Sequence, residues 1–174
     1  MNYAAIKKTD VANGSGVRVS LFVSGCTHAC KGCFNSEAWD FCYGQPFTEE
    51  TEAEILCALA PDYIRGFSVL GGEPLEPQNR EIVLHIVEAV RRAYPGKSIW
   101  CYTGYTYETD LLRWETEGDE TIRRLLELID VLVDGEFVEE KKNLRLAFRG
   151  SENQRLVDMK KTRAGGRVVC LEKP

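Results

Sequence analysis

Short apolar strand patterns alternate with amphipathic helix patterns along most of this chain, and that order limits the possible folds more than any other feature. Four segments combine apolar and β-branched residues over the length of a strand: residues 17–24, 66–70, 98–102 and 131–134. Between them, apolar residues recur with helical spacing in three segments: from the candidate N-cap Thr48 to Pro61, from 82 to 94, and from 121 to 129. Two later segments, 144–148 and 167–171, could also be strands, with an exposed turn between them.

Alternating strands and helices predict an α/β fold with a mainly parallel sheet, because parallel strands need crossover connections that pack on the sheet. The carboxyl ends of parallel strands meet at one edge, and functional groups usually lie on the loops that leave those ends. Two loops hold such positions: CTHACKGC at 26–33 follows the first strand, and GGEP at 71–74 follows the second. We expect a single domain over residues 1–174 that is less regular from about residue 135.

The charge balance argues against some classes of partner. The formal net charge is −5, whereas proteins bind nucleic acids and membrane surfaces through an excess of Lys and Arg, so we expect neither partner. Residues 139–163 are an exception, since basic residues outnumber acidic ones there. The first ten residues lack the apolar core of a signal peptide, and no apolar run reaches the roughly 18 residues that a membrane helix needs. We therefore expect a cytoplasmic protein.

Three of the seven cysteines, Cys26, Cys30 and Cys33, lie within eight residues. Disulfides are rare in the cytoplasm, so clustered cysteines there more often hold a metal, and thiolate ligands suit both zinc and iron–sulfur clusters. A structural zinc site takes four protein ligands, usually as two close pairs, and the nearby Cys42 and Cys57 do not form a second pair. A four-iron cluster held by only three cysteines keeps one iron open for a substrate. His28 could be a fourth ligand, but we expect it to orient the loop or to face solvent.

The spacing Cys-x-x-x-Cys-x-x-Cys, joined to GGEP at the end of the next predicted strand, resembles the radical S-adenosylmethionine (AdoMet) superfamily. The resemblance implies an open, partial (β/α) barrel with helices on its outside. It also implies that Cys26, Cys30 and Cys33 bind a [4Fe–4S] cluster. The amine and carboxylate of S-adenosyl-L-methionine would chelate the fourth iron.

The same resemblance implies two groups of contacts to AdoMet. The implied contact residues are Gly32, Cys33, Phe34, Gly71, Gly72 and Glu73. In the 71–73 group the backbone would meet the methionine amine, since glycine lets a backbone approach a ligand closely. Superfamily members often have an aromatic residue just before the third cysteine, whereas this chain has Gly32 there. We therefore expect the group around the third cysteine to act mostly through its backbone.

Further motifs are similar to one family within that superfamily, the activating enzymes of anaerobic ribonucleoside-triphosphate reductase. The motifs that carry this similarity are LFVSGC at 21–26, VLVDGEF at 131–137 and RGSENQR at 149–155. The similarity implies an oxidoreductase that takes an electron from reduced flavodoxin or a ferredoxin-like donor and cleaves AdoMet to methionine and a 5′-deoxyadenosyl radical. That radical would take a hydrogen atom from a backbone glycine of the reductase large subunit and leave a glycyl radical there.

Two other interpretations of the same residues stay open. An activase of another glycyl-radical enzyme, of the pyruvate formate-lyase type, would share the cluster and the GGEP loop. A zinc-binding interaction module without catalysis would fit if GGEP were an incidental turn. The basic stretch 139–163 could dock the reductase by complementary charge or be a solvated face, and RGSENQR could be a polar turn that caps the sheet.

Overall fold

The computed structural model describes residues 1–171, so the last three residues of the expected domain lie outside the described residues. Within residues 1–171 the strands form a seven-stranded sheet in the order β3-β1-β2-β4-β5-β6-β7. The strands are β1 (Asn2–Asp10), β2 (Val17–Val23), β3 (Gln45–Pro46), β4 (Ile64–Gly71), β5 (Ser98–Tyr102), β6 (Val131–Asp134) and β7 (Arg155–Asp158). Strands β2, β4, β5 and β6 are parallel neighbours, whereas β1, β3 and β7 pair antiparallel. The α/β class with a parallel centre is therefore confirmed, and the sheet as a whole is mixed.

Helices cover one face of the sheet, and all but the last of them lie between parallel strands. They are α1 (Glu49–Leu59), α2 (Arg80–Ala93), α3 (Leu112–Thr116), α4 (Glu120–Leu128) and α5 (Met159–Gly165). Helix α1 begins at the predicted N-cap, where the Thr48 hydroxyl accepts a hydrogen bond from the Thr51 amide at 3.4 Å. Helix α3 continues directly from a π-helical turn at Tyr107–Leu111. Among the described residues, no helix is both long and apolar enough to cross a membrane.

The carboxy-terminal part of the chain differs from the prediction. Residues 144–148 form turns where a strand is expected, and residues 167–171 pair with β7 only through an isolated bridge between Val157 and Cys170. The stretch expected to be an exposed turn contains helix α5, because the Asp158 carboxylate accepts from the Lys161 amide at 3.0 Å and caps it. Strand β1 has no counterpart among the predicted strands, because its mostly half-buried or exposed residues do not alternate between apolar and polar.

The two faces of the sheet have different surroundings. Val19 and Leu21 of β2 point into the main apolar core, which the helices cover. The opposite face carries a smaller apolar cluster around Trp100 and Val133, against which Phe148 packs. This second face lies beneath the loops that follow the strands, so a cavity can form there.

The parallel strands place four loops at one edge of the sheet. The register pairs Val23 of β2 with Gly71 of β4, and Tyr102 of β5 with Val133 of β6, so neighbouring strands end at nearly the same level. The loops are the cysteine loop (residues 24–35), the GGE loop (71–79), and the connections at 103–106 and 135–138. The two loops predicted to carry function therefore lie side by side.

Candidate functional site

The cysteine loop is shaped by backbone pairing and by two left-handed residues. Gly25 N donates to Ala38 O at 2.8 Å, so the chain just after the loop lies next to the residues that follow β2. Ala29 (φ +48°) and Gly32 (φ +74°) both adopt the left-handed conformation, so the chain turns sharply between the cysteines. A Cβ on Gly32 would also lie 2.8 Å from Oε1 of Glu139. The positive φ accounts for glycine at a position where the resemblance leads us to expect an aromatic residue, whereas the flexible Glu139 side chain could move aside.

The three thiols of the cysteine loop line one cavity of about 490 Å³. Cys26, Cys30 and Cys33 are free and partly buried. Burial raises the pKa of Cys26 to about 11, although the backbone amides of His28 and Ala29 oppose this, and burial also raises the pKa of Cys30. Both thiols would lose their protons on metal binding, because a coordinating thiol is deprotonated outright. Within residues 1–171, no three His, Cys, Asp or Glu side chains lie close enough together to hold a single metal ion.

The residues predicted to bind the cluster or AdoMet all line this same cavity. They are Cys26, Cys30, Gly32, Cys33, Phe34, Gly71, Gly72 and Glu73. Phe34 is 87% exposed and lies at the edge of this cavity. The fold thus brings together two groups of residues that are about forty positions apart in the sequence.

The GGE loop is joined to the cysteine loop by backbone hydrogen bonds. Gly72 N donates to Val23 O at 2.7 Å, and Glu73 N donates to Gly25 O at 2.8 Å. A Cβ on Gly72 would lie 2.5 Å from the Gly25 carbonyl oxygen, a distance that real Cβ atoms do not show. Glycine is therefore required at position 72 for the two loops to meet, independently of any ligand.

Two further side chains reinforce the junction between the GGE loop and the cysteine loop. The sequence analysis does not identify either of them. Nδ2 of the buried Asn79 donates to Ser24 O and to Glu73 O, each at 2.9 Å. Oε1 of the buried Glu76 accepts from the Thr27 amide at 2.8 Å and from the Thr27 hydroxyl at 2.5 Å. The only signal in the sequence is that Glu76 and Asn79 follow the GGEP motif closely, because their partners in the cysteine loop, Thr27 and Ser24, lie about fifty residues away.

The Glu73 carboxylate is buried, and groups of the protein occupy both of its oxygens. Oε1 accepts from Leu75 N at 2.8 Å and from the Thr103 hydroxyl at 2.9 Å, and Oε2 accepts from Gly104 N at 2.7 Å. Oε2 also lies 3.2 Å from Nε2 of His28. The carboxylate therefore ties the loops after β2, β4 and β5 together, which leaves the backbone of the GGE loop as the part that can meet a ligand.

His28 joins the cysteine loop to two other loops through its ring. Its Nε2 and Nδ1 lie 3.2 Å from Glu73 Oε2 and 2.9 Å from Glu136 Oε1, and its side chain is only 10% exposed. Burial alone would lower the pKa of His28, but hydrogen bonds and charge from Glu73 and Glu136 raise it to about 9. A Cβ on Gly104 would lie 2.6 Å from the ring, so a glycine is needed there to accommodate it. His28 thus orients the loop, and the alternative that it faces solvent is wrong.

Comparisons with known proteins identify a family model and relatives that this chain matches. Residues 12–157 match the family model described as a 4Fe-4S single cluster domain. The chain is 45% identical over 156 residues to the anaerobic ribonucleoside-triphosphate reductase-activating protein of Pasteurella multocida (strain Pm70), a match that covers 88% of this chain and 95% of that protein. Proteins of the same name from Escherichia coli (strain K12) and Enterobacteria phage T4 are each 42% identical, over 88% and 90% of this chain and 96% and 93% of their own.

The chain belongs to this family of activating proteins. Membership in the anaerobic ribonucleoside-triphosphate reductase-activating family favours an iron–sulfur cofactor over zinc, because the matched family model describes a 4Fe-4S domain. The relatives described above are named for the anaerobic reductase, so they do not support the alternative of a pyruvate formate-lyase type activase.

In this member of the activating-protein family, the DGEF and RGSENQR motifs form one unit at the end of β6. Gln154 Nε2 donates to Gly135 O at 3.0 Å, and Arg155 Nε donates to the buried Asp134 carboxylate at 2.9 Å. The RGSENQR segment contains a turn that leads into β7, in agreement with the alternative of a polar turn. By holding the loop at 135–138, the RGSENQR turn fixes one wall of the cavity.

Replacing Glu73 with glutamine is expected to destabilise the loop junction. The new amide group would face backbone donors on either side, because Leu75 N points at one oxygen and Gly104 N at the other. Unsatisfied buried donors cost about 1–3 kcal/mol, so we expect Glu73→Gln to lower the free energy of unfolding by that amount. Urea unfolding measures the change, and Glu54→Gln at a partly exposed surface pair is the matched control, with an expected change within about 0.5 kcal/mol. Equal stabilities for the two variants would contradict the assigned role of Glu73.

Proposed function

We propose that this chain is a glycyl-radical-generating oxidoreductase that uses AdoMet and a [4Fe–4S] cluster to activate anaerobic ribonucleoside-triphosphate reductase. One observation carries the proposal: Cys26, Cys30 and Cys33 line the same cavity as the GGE loop. The names of the relatives support the reductase as the partner. The electron donor in the proposal is reduced flavodoxin or a ferredoxin-like protein.

The residues that line the cavity fit such a cofactor pair. Three partly buried thiols lie on one loop, and the rest of the lining is largely apolar, as is usual for small-molecule sites. One polar atom of the lining residues, Tyr102 OH, is buried without a hydrogen-bond partner among residues 1–171. Buried polar groups are normally paired, so this atom supports a cavity that a polar ligand completes.

Each part of the cavity has a role in the proposal. Cys26, Cys30 and Cys33 would hold three of the irons, and the backbone of Gly71 and Gly72 would hold the methionine end of AdoMet. A cluster held there would supply the electron for cleavage of AdoMet to methionine and a 5′-deoxyadenosyl radical, and that radical would take a hydrogen atom from a glycine of the reductase. The hydrogen-bonded loops would keep these groups in register, which favours reaction between the bound partners.

The proposal also includes the domain organisation and the type of sheet. It takes residues 1–174 as one catalytic domain whose sheet is an open, partial (β/α) barrel of the radical AdoMet type. The helices on one face and the cavity on the other support this arrangement, because a barrel of this kind carries its helices outside.

The basic residues of 139–163 do not form one continuous surface on which the reductase could dock. Lys142 lines the cavity, at the end of the sheet where β7 begins. Strand β7 then runs antiparallel to β6 and carries the chain to the other end of the sheet, where Lys160 and Lys161 lie in helix α5. Docking by the whole stretch is therefore not part of the proposal.

Electron paramagnetic resonance tests the proposed reaction. The reconstituted, reduced protein is mixed with AdoMet and the anaerobic reductase under anaerobic conditions, and the glycyl radical on the reductase is quantified. We expect a radical that requires AdoMet and is absent when pyruvate formate-lyase replaces the reductase. A radical on pyruvate formate-lyase but not on the reductase would favour the alternative activase.

A further inference from the structure

The loop at residues 143–150 is closed at its base and sparsely bonded at its tip. Asn143 N donates to Gly150 O at 3.1 Å, and an antiparallel bridge joins Lys142 to Ser151, so the two ends of the loop are held together. Within the tip, the backbone amide of Leu146 donates to Asn143 O at 3.3 Å. We call residues 143–150 the rim loop, because several of its side chains line the cavity described above.

The rim loop presents alternating apolar side chains to the cavity. Leu144, Leu146 and Phe148 all line it. Phe148 adopts a left-handed conformation (φ +58°) that is costly for a bulky residue, and its ring packs edge-on against Trp100 with a centroid separation of 5.4 Å. This anchor holds the rim loop on the face of the sheet that lines the cavity, while Leu144 remains 90% exposed.

A second exposed apolar side chain borders the same cavity. Phe34, at the end of the cysteine loop, is 87% exposed, and both Phe34 and Leu144 line the cavity. They have the largest exposed fractions among the large apolar residues of the described chain. Exposed apolar groups gathered at a cavity are typical of interaction sites, so the edge of this cavity is suited to receive another molecule.

Arg149 adds a polar contact inside the rim loop. Its Nη1 donates to Gln154 O at 2.9 Å, whereas its buried Nε has no hydrogen-bond partner within residues 1–171. The buried acidic group of the lining, Glu73, is already hydrogen-bonded by its own loops. A guanidinium with donors to spare, set in an apolar wall, suits the carbonyl oxygens of a peptide backbone.

We infer that the rim loop is the docking surface for the glycine-bearing polypeptide segment of the reductase, with Leu144 packing on apolar side chains next to the glycine and Arg149 donating to its backbone carbonyls. The inference rests on the proposed function, which requires that the glycine reach the cavity. Three features favour a peptide occupant: exposed apolar side chains at the edge, an unpaired donor within, and continuity with the cavity that holds the three thiols.

A binding measurement tests the rim loop independently of the chemistry. The Kd of the full-length protein for the anaerobic reductase is measured for wild type, Leu144→Ser, Arg149→Lys and the control Tyr63→Ser. Tyr63 is 61% exposed and precedes β4, at the end of the sheet away from the cavity. We expect Kd to rise about tenfold for Leu144→Ser and Arg149→Lys, as for central contact residues of an interface, and to stay unchanged for Tyr63→Ser.

A second readout separates this inference from the proposed function. Formation of 5′-deoxyadenosine without the reductase reports AdoMet cleavage alone, and we expect Leu144→Ser to match wild type because Leu144 is exposed at the edge of the cavity. Unchanged Kd values for both rim-loop variants would overturn the docking surface even if cleavage is normal. A wild-type protein that forms no 5′-deoxyadenosine would overturn the proposed function, whereas the Kd values would still decide whether the rim loop binds the reductase.

Discussion

Replacing Cys30 with alanine is expected to remove the iron–sulfur cluster and to reduce AdoMet cleavage to background. The cysteine loop offers three thiols to the cavity and no spare ligand of the same kind. Of the other cysteines, Cys101 is buried in the main core, and Cys42, Cys57 and Cys170 are exposed. Loss of one of three thiolate ligands would leave a second iron without a protein ligand, so the cluster should not persist. We expect the same result for Cys26→Ala and Cys33→Ala.

Iron content per chain and 5′-deoxyadenosine formation, both measured after anaerobic reconstitution, check this prediction. The matched control is Cys57→Ala, which removes an exposed thiol from helix α1 and should retain both iron and activity. If Cys57→Ala lost its iron while Cys30→Ala kept it, the ligands would be assigned wrongly.

Replacing Gly72 with alanine is expected to disrupt the site without removing any chemical group. The added Cβ would lie 2.5 Å from Gly25 O and 2.9 Å from Ala38 O, both of which belong to the backbone around the cysteine loop. Backbone atoms cannot rotate away as a flexible side chain can, so the two loops must separate. Overpacking of this kind costs about 1–3 kcal/mol, and we expect the free energy of unfolding to fall by that amount. Because the thiols and the GGE loop move apart, AdoMet cleavage should fall as well.

The control for Gly72→Ala is Gly96→Ala. A Cβ on Gly96 meets no atom within 4 Å, so this substitution adds the same methyl group in open space. We expect its unfolding free energy to stay within about 0.5 kcal/mol of wild type and its AdoMet cleavage to be normal. Chemical denaturation and the 5′-deoxyadenosine assay measure both effects. If Gly72→Ala behaved like Gly96→Ala, the close approach of the two loops would not be required.

The centre of the fold is predictable from the sequence because its signals are local. Apolar runs mark β2, β4, β5 and β6, and helical spacing with clear caps marks α1 and α4. The edges are not predictable in this way, because they depend on distant partners. Strand β1 is ordered by pairing with β2 and β3, and helix α5 follows from a cap at Asp158 within a stretch that has the composition of a turn.

The candidate site is likewise predictable from the sequence only in part. Cysteine spacing and the GGEP motif identify the two loops, and the parallel order of β2 and β4 explains why they meet. The sequence does not show what holds them together. Asn79 and Glu73 bridge loops that lie thirty or more positions apart, as in the hydrogen bond from Thr103 Oγ1 to Glu73. Such contacts have no sequence period, so they are visible only once the chain is folded.

One measurement tests the central claim most directly: the products formed from AdoMet by the reconstituted, reduced protein under anaerobic conditions, without the reductase. Cys26, Cys30 and Cys33 with the GGE loop are proposed to present AdoMet to an open iron, so we predict methionine and 5′-deoxyadenosine in equal amounts. Oxidised protein should form neither. A protein that carries a full [4Fe–4S] cluster, is reduced, and still leaves AdoMet intact would contradict the account.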